Sequence, residues 1–428
     1  MVFVKPSETD CHKKSVEQKK IDFNAMKNSE NKFFKIINAQ ILTPSQLIKN
    51  GTVVVHDGLI EKVAEGFHEL PEANTIDAKG MYVAPGLIDN QVNGFAGVSF
   101  SLGGSDLTEE GILKATRELR KTGVTTYLPT LTTNSREMML ENLKILNKAM
   151  KNEEQAGSIP GFHLEGPFIN PEDGYRGAHP IQFVRLPDWE EFMDLYEASG
   201  RNILQITLAP EMEGALDFIS RCTEMGIVVA LGHHNAPAEI VTAAIDRGAK
   251  IATHLGNGVA NMINRHHNPF WSQLADDRLH ISIICDSFHL LPEEIQAFYK
   301  VKGVDRIVLT SDVTSFATLN PGMYQTQTGE TIELTEEGLL HYPEQNCLYG
   351  SASPLTKSIE YIAEVTGCTL SEAIRMASSN TAKLLGLSDR GKLEPGLRAD
   401  LILFSLNDSK ITIHKTFVKG EIVYNSSN

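Results

Sequence analysis

The sequence predicts an α/β protein: a (β/α)8 TIM-like barrel with a small β-sandwich accessory domain built from both chain termini. Three observations carry this expectation. Across residues 85–390, short apolar strands alternate with helical stretches, the pattern of βα units in a parallel sheet. At both ends the chain changes to short β-rich pieces broken by turn pairs. Between them, polar residues recur where apolar strands give way to loops, and a barrel gathers the C-terminal ends of its strands around one point.

Taken in order, residues 1–30 are polar and lysine-rich and lack the apolar centre of a secretory signal. They are expected to form a flexible N-terminal extension, with Met26 as an alternative start. Residues 31–84 form the first part of the accessory domain, with strands at Phe34–Leu42, Gly51–Val55, Leu59–Val63 and Thr75–Ile76 separated by turns such as Asp57-Gly58 and Lys79-Gly80. A small antiparallel sheet is expected there. Residues 85–390 hold the barrel, whose eight strands are Leu87–Gln91, Thr125–Pro129, Gly161–Leu164, Ile203–Leu208, Ile227–Leu231, Lys250–Thr253, His280–Cys285 and Arg306–Thr310. Helices fill the gaps at Thr108–Thr122, Glu137–Lys151, Ala236–Arg247 and Pro292–Lys302, where apolar residues recur at three-to-four spacing. Residues 391–428 complete the accessory domain with Ala399–Phe404, Lys410–Val418 and Glu421–Tyr424.

Composition narrows the function. In a chain of 428 residues, 41% hydrophobic and 22% charged content supplies a large core. A formal net charge of −15 argues against nucleic acid, whose phosphate backbone needs a basic face. No apolar run approaches the roughly 18 residues of a membrane span. Cys11, Cys222, Cys285, Cys347 and Cys368 are widely spaced and form no CxxC pair, which fits the reducing cytoplasm better than a disulfide framework.

The strand ends carry chemistry. Glu165 ends one predicted strand and precedes Gly166-Pro167, while His233 and His254 end two others. Alone, such a glutamate is ordinarily a salt-bridge partner and such histidines are ordinarily packed side chains. One carboxylate with two imidazoles is, however, a common ligand set for catalytic zinc or a similar divalent ion, with an open position left for water. Asp312 closes the eighth strand and is the best-placed general base and acid, although a turn or cap aspartate looks the same in isolation.

Gln91-x-Asn93 stands where binuclear barrels carry His-x-His, and the fourth strand has no lysine to become a carboxylated bridge. Amides are poor ligands for a borderline ion, so one metal is expected rather than two. His179, in the loop Arg176-Gly177-Ala178-His179-Pro180, can donate to a carbonyl oxygen as charge develops on it. Arg265 offers a fork suited to phosphate, and His289 can bond a sugar hydroxyl or pack at the rim. Among His234, His266 and His267, at most one is expected to touch substrate.

Together these motifs resemble the amidohydrolase superfamily, and within it the N-acetylglucosamine-6-phosphate deacetylase family, from about Phe34 to Tyr424. The most specific segments are Pro85-Gly86-Leu87-Ile88-Asp89-Asn90-Gln91-Val92-Asn93-Gly94, His163-Leu164-Glu165-Gly166-Pro167, Gly232-His233-His234-Asn235-Ala236, Thr253-His254-Leu255-Gly256-Asn257, Gly350-Ser351-Ala352, Gly391-Lys392-Leu393 and Gly396-Leu397-Arg398-Ala399-Asp400-Leu401. The resemblance implies Glu165, His233 and His254 as ligands of one divalent ion, zinc first, with iron, cobalt or manganese as alternatives. It implies Asp312 as catalytic base and acid and His179 as polariser of the acetyl carbonyl. Substrate contacts are implied at Asn257, Gly258, Arg265 and His289, and expected also at Gln91, Asn93 and Ala178. The family's matching arginine reaches the neighbouring subunit, so a homodimer acting on a phosphorylated amino sugar is implied. The rival expectations are a sister enzyme acting on N-acetylgalactosamine 6-phosphate or another N-acyl compound and, more remotely, a metal-free interaction protein. Departures from the family pattern fall in residues 258–271 and at Ser311-Asp312-Val313, where Thr-Asp-Ala is usual; they bear on the phosphate contact and on sugar identity.

Overall fold

The first strand, β1 (Phe33–Leu42), buries Phe34 and Ile36, then shifts register at Asn38 and buries Ala39 and Ile41. Asn38 adopts φ 56°, a left-handed conformation that asparagine tolerates, and the resulting bulge keeps one apolar face inward. In the computed structural model the described residues are 33–326 and 329–427; the expected extension at residues 1–30, with Met26, lies outside them.

Strands β2 (Leu47–His56) and β3 (Leu59–Glu65) form an antiparallel hairpin. Its turn residues Asp57 and Gly58 have φ 49° and 79°, as a type I′ turn requires. The next two strands correct the antiparallel expectation: β4 (Asn74–Asp77) and β5 (Tyr82–Pro85) both pair parallel to β1. β2 already occupies the other edge of β1, so the two short strands share the remaining edge in succession.

The barrel begins with β6 (Leu87–Val92), all six of whose residues are buried, as befits a strand covered on both faces. A short hairpin follows, β7 (Gly94–Phe95) with β8 (Val98–Ser99). Next come β9 (Val124–Thr132), β10 (Phe162–Glu165), β11 (Ile203–Leu208), β12 (Val228–Leu231), β13 (Ile251–Ala252), β14 (His280–Ile283) and β15 (Ile307–Leu309). With β6 they form one eight-stranded parallel sheet in sequential order. The ring closes where Val92 bridges Val313 and where Thr310 Oγ1 and the Ser311 amide donate to Asp89 Oδ1, at 3.0 and 3.2 Å.

The expected helices cover the barrel. Thr108 caps Glu109–Lys121 by accepting from the Gly111 amide at 3.0 Å, a bond worth about 1 kcal/mol, and Ile112, Ala115 and Leu119 turn inward. Among the described residues no helix is long and apolar enough to cross a membrane.

One element was not expected. After the eighth barrel strand, β16 (Gly322–Gln325), β17 (Thr331–Leu334), β18 (Leu340–Tyr342) and β19 (Cys347–Leu348) form an antiparallel sheet around their own apolar cluster of Phe316, Ile332, Leu334, Leu340 and Tyr342. The chain then returns as β20 (Leu401–Asn407), β21 (Lys410–Val418) and β22 (Glu421–Asn425), and β20 joins β5. Strands of both termini thus share one eight-stranded sheet rather than two separate ones. It curls on itself: the rings of Phe34 on β1 and Phe417 on β21, three strands away, stack with centroids 5.4 Å apart.

Candidate active site

Glu165 ends β10, and its Oε1 lies 2.8 Å from His254 Nε2 and 3.3 Å from His233 Nε2. Ligand atoms of these three buried residues all fall within 4.8 Å of one another. His233 and His254 follow β12 and β13, and Asp312 follows β15. All three adopt left-handed backbone, at φ 53°, 28° and 52°. Such conformations cost a non-glycine residue about 1–3 kcal/mol and persist where surroundings over-determine them, commonly at functional sites. Here the His233 carbonyl accepts from the Asn170 amide, that of His254 from Asn257 and that of Asp312 from Ser351. Gly258 packs so closely on His233 that a Cβ there would lie 2.7 Å from Nδ1.

The donor set fits a cation. His233 Nδ1 donates to the Tyr175 carbonyl at 2.9 Å, the outer hydrogen bond typical of a metal-binding histidine. A neutral imidazole bound in this way turns its Nε2 lone pair toward the Glu165 carboxylate. An ion between them would take both atoms as ligands. Burial alone would push the Glu165 carboxyl up, but its bond from His254 holds it well below the usual range. For His254, burial works against the charged form, yet its bond to Glu165 prevails and the imidazole titrates above its ordinary value.

Asp312 is tied in by amides. Its Oδ1 accepts from Gln91 Nε2 at 2.9 Å and from Asn93 Nδ2 at 2.7 Å, and the same Gln91 nitrogen donates to Glu165 Oε1 at 2.8 Å. Burial, with the Glu165 charge adding to it, pushes the Asp312 carboxyl up to about 6. His179 is buried beside His233, ring centroids 4.4 Å apart, and burial followed by that imidazole brings it down to about 3.

A cavity of about 830 Å³ opens over these groups. Of the residues singled out from sequence, it is lined by Glu165, His233, His254, Asp312, His179, Ala178, Asn93, Asn257, Gly258 and His289. His289 is anchored by Nδ1, 2.8 Å from Asp286 Oδ2. Two expected substrate contacts lie elsewhere. Gln91 is fully buried and does not line the cavity, because its amide is spent on the two carboxylates. Arg265 is exposed and outside the cavity of its own chain, as are His266 and His267, and His234 is buried away from it.

Sequence reasoning passed over Thr133, Arg176 and residues 344–350, all of which line the cavity. Of these, Arg176 and Gly350 belonged to segments noted beforehand, without a role of their own.

A parallel barrel with a buried Glu/His/His set at its strand ends is the framework of the metal-dependent amidohydrolases, and the model of the Amidohydrolase family matches residues 82–423. An N-acetylglucosamine-6-phosphate deacetylase of Caenorhabditis elegans is 31% identical over 95% of this chain and 98% of its own length. One from Homo sapiens is 30% identical over 90% and 94%. The crystal structure of N-acetylglucosamine-6-phosphate deacetylase from Pasteurella multocida superposes with TM-score 0.82 at 28% identity, covering 91% of this chain and 99% of that one. A Mycobacterium smegmatis mutant enzyme in complex with N-acetyl-D-glucosamine-6-phosphate also gives 0.82, at 26% identity over 92% and 100%. The chain belongs to the N-acetylglucosamine-6-phosphate deacetylase family of the amidohydrolases.

Proposed function

We propose that this protein hydrolyses the amide of N-acetylglucosamine 6-phosphate, releasing acetate and glucosamine 6-phosphate. The observation that carries the reading is the Glu165–His233–His254 cluster with Asp312 joined to it through Gln91. Glu165, His233 and His254 would hold one divalent ion, with zinc the first candidate and iron, cobalt and manganese the alternatives. Such an ion supplies Lewis acidity and a water acidic enough to ionise near neutral pH.

The chain's own groups do the rest. Asp312 Oδ1 is held by two amide donors, leaving Oδ2 to take a proton from the attacking water. As the water oxygen bonds to the acyl carbon and the C–N bond breaks, Asp312 returns that proton to the departing nitrogen. His179 Nε2 donates to the acyl oxygen as negative charge grows on it. Asn257, Gly258 and His289 line the wall where the sugar would lie. Arg265, exposed and outside its own cavity, is assigned to the phosphate in the neighbouring subunit of a homodimer. A cytoplasmic setting is inferred because the four described cysteines are all free thiols.

The test is acetate release against a panel: N-acetylglucosamine 6-phosphate, N-acetylgalactosamine 6-phosphate, unphosphorylated N-acetylglucosamine and an N-acetyl amino acid. The first is expected to give the highest kcat/KM. A preference for any other compound would replace the proposed substrate.

A further inference from the structure

We propose that Thr133 is a positioning residue that decides which ring nitrogen of His179 carries hydrogen, so that an Nε2–H donor is presented to the cavity. The proposal rests on the deacetylase reading for its chemistry and on geometry for its substance. Thr133 directly follows β9, while His179 lies on the loop after β10, so the contact joins the ends of two neighbouring barrel strands. Thr133 Oγ1 is 2.8 Å from His179 Nδ1, and the Thr133 main-chain nitrogen is 3.4 Å from the same atom.

A main-chain N–H can only donate. Nδ1 must therefore present its lone pair, and the hydroxyl donates to that lone pair as well. A hydrogen on Nδ1 would point at the Thr133 N–H. The neutral ring is left with its hydrogen on Nε2, the nitrogen with no protein partner among the described residues, in a side chain that lines the cavity.

The surroundings fix both partners. Thr133 is only 2% exposed, and Gly166 packs against it so tightly that a Cβ at 166 would fall 2.2 Å from the hydroxyl oxygen. On the other side, Arg176 Nη1 donates to the His179 carbonyl at 2.7 Å, which holds the loop backbone. The opposite tautomer would aim a lone pair at the acyl oxygen just as that oxygen gains negative charge, turning a stabilising contact into a repulsive one. Thr133 itself touches no reacting atom in this scheme; it acts through His179.

The experiment compares full-length, zinc-loaded wild type with Thr133→Val, which removes the hydroxyl at nearly constant volume, and Thr133→Ser, which keeps it. Acetate release from N-acetylglucosamine 6-phosphate gives kcat and KM. Long-range 1H–15N spectra of the imidazoles, assigned with His179→Gln, read the tautomer without substrate. Wild-type His179 is expected to show an unprotonated Nδ1 and a protonated Nε2. Thr133→Val is expected to lose about ten-fold in kcat, one hydrogen bond's worth, with little change in KM, and Thr133→Ser to restore most of it. A protonated Nδ1 in wild type, an undiminished kcat in the valine variant, or a serine variant as impaired as the valine one would each overturn the proposal. Should the valine variant not fold, the wild-type spectrum still decides. If wild type releases no acetate, the substrate reading fails while the spectrum still judges the tautomer.

Discussion

Asn93 Nδ2 lies 2.7 Å from Asp312 Oδ1, so the amide that directly follows β6 donates to the carboxylate proposed as the base. A donor bond to a carboxylate favours its charged form. Burial and the Glu165 charge push Asp312 up to about 6, and the Asn93 bond restrains that rise. A base works ionised, so kcat/KM falls as pH drops through the Asp312 value. A bound cation draws that limb lower still. Removing the bond raises the carboxyl's pKa, so Asn93→Ala should move the acid limb of the pH–rate profile upward relative to wild type. An unmoved or lowered limb would show that this bond does not tune the base.

Asp312→Asn keeps the shape and hydrogen-bonding volume of the side chain but cannot take a proton. Turnover should fall by ~10³-fold, the usual scale for a lost general acid–base. Metal content should stay near the wild-type level, because Asp312 is not one of the three clustered ligand residues. A variant with near-normal kcat would remove Asp312 from the mechanism.

The barrel was legible because its signals are local: each strand is a short apolar run with a helix after it, and the polar residues at the exits stand out against them. Most strand ends shifted by a residue or two at most, and Ile203–Leu208 is the same expected and observed, while β9 runs three residues beyond the expected Pro129. Pairing partners were less visible. The parallel alignment of β4 and β5 depends on which edge of β1 remains open, a non-local fact that Asn74–Asp77 and Tyr82–Pro85 do not encode by themselves. The sheet β16–β19 was missed because its strands are two to four residues long, too short for alternation to register. At the site, residue types at Glu165, His233, His254 and Asp312 pointed to metal chemistry, but their left-handed backbone did not show in the sequence. Thr133 looks no different from Thr130 or Thr132; only the approach of the loop carrying His179 distinguishes it.

Removal of the ion offers a third check. Chelation should abolish acetate release and lower Tm, since a ligand that binds only the folded state stabilises it by mass action. Re-addition of zinc, iron, cobalt or manganese should restore both, with about one ion per chain, as three ligands and an open position imply. His254→Ala should bind far less metal. Full activity in chelated protein would refute the metal assignment outright.

The exposed Arg265 leads to the most discriminating test. If it binds phosphate across a dimer, Arg265→Ala should raise KM for the phosphorylated sugar by ~10- to 100-fold, the cost of charge-assisted hydrogen bonds, and leave metal content unchanged. Asp312→Asn should be inactive for a different reason. In a mixed dimer of the two variants, one site combines an intact Asp312 with an intact Arg265 from its partner. Random re-assortment makes half of all dimers mixed, so activity at low substrate should recover to about a quarter of wild type. Subunits that each bind their own phosphate would show no such recovery on mixing, and Arg265 would then lose its assigned role.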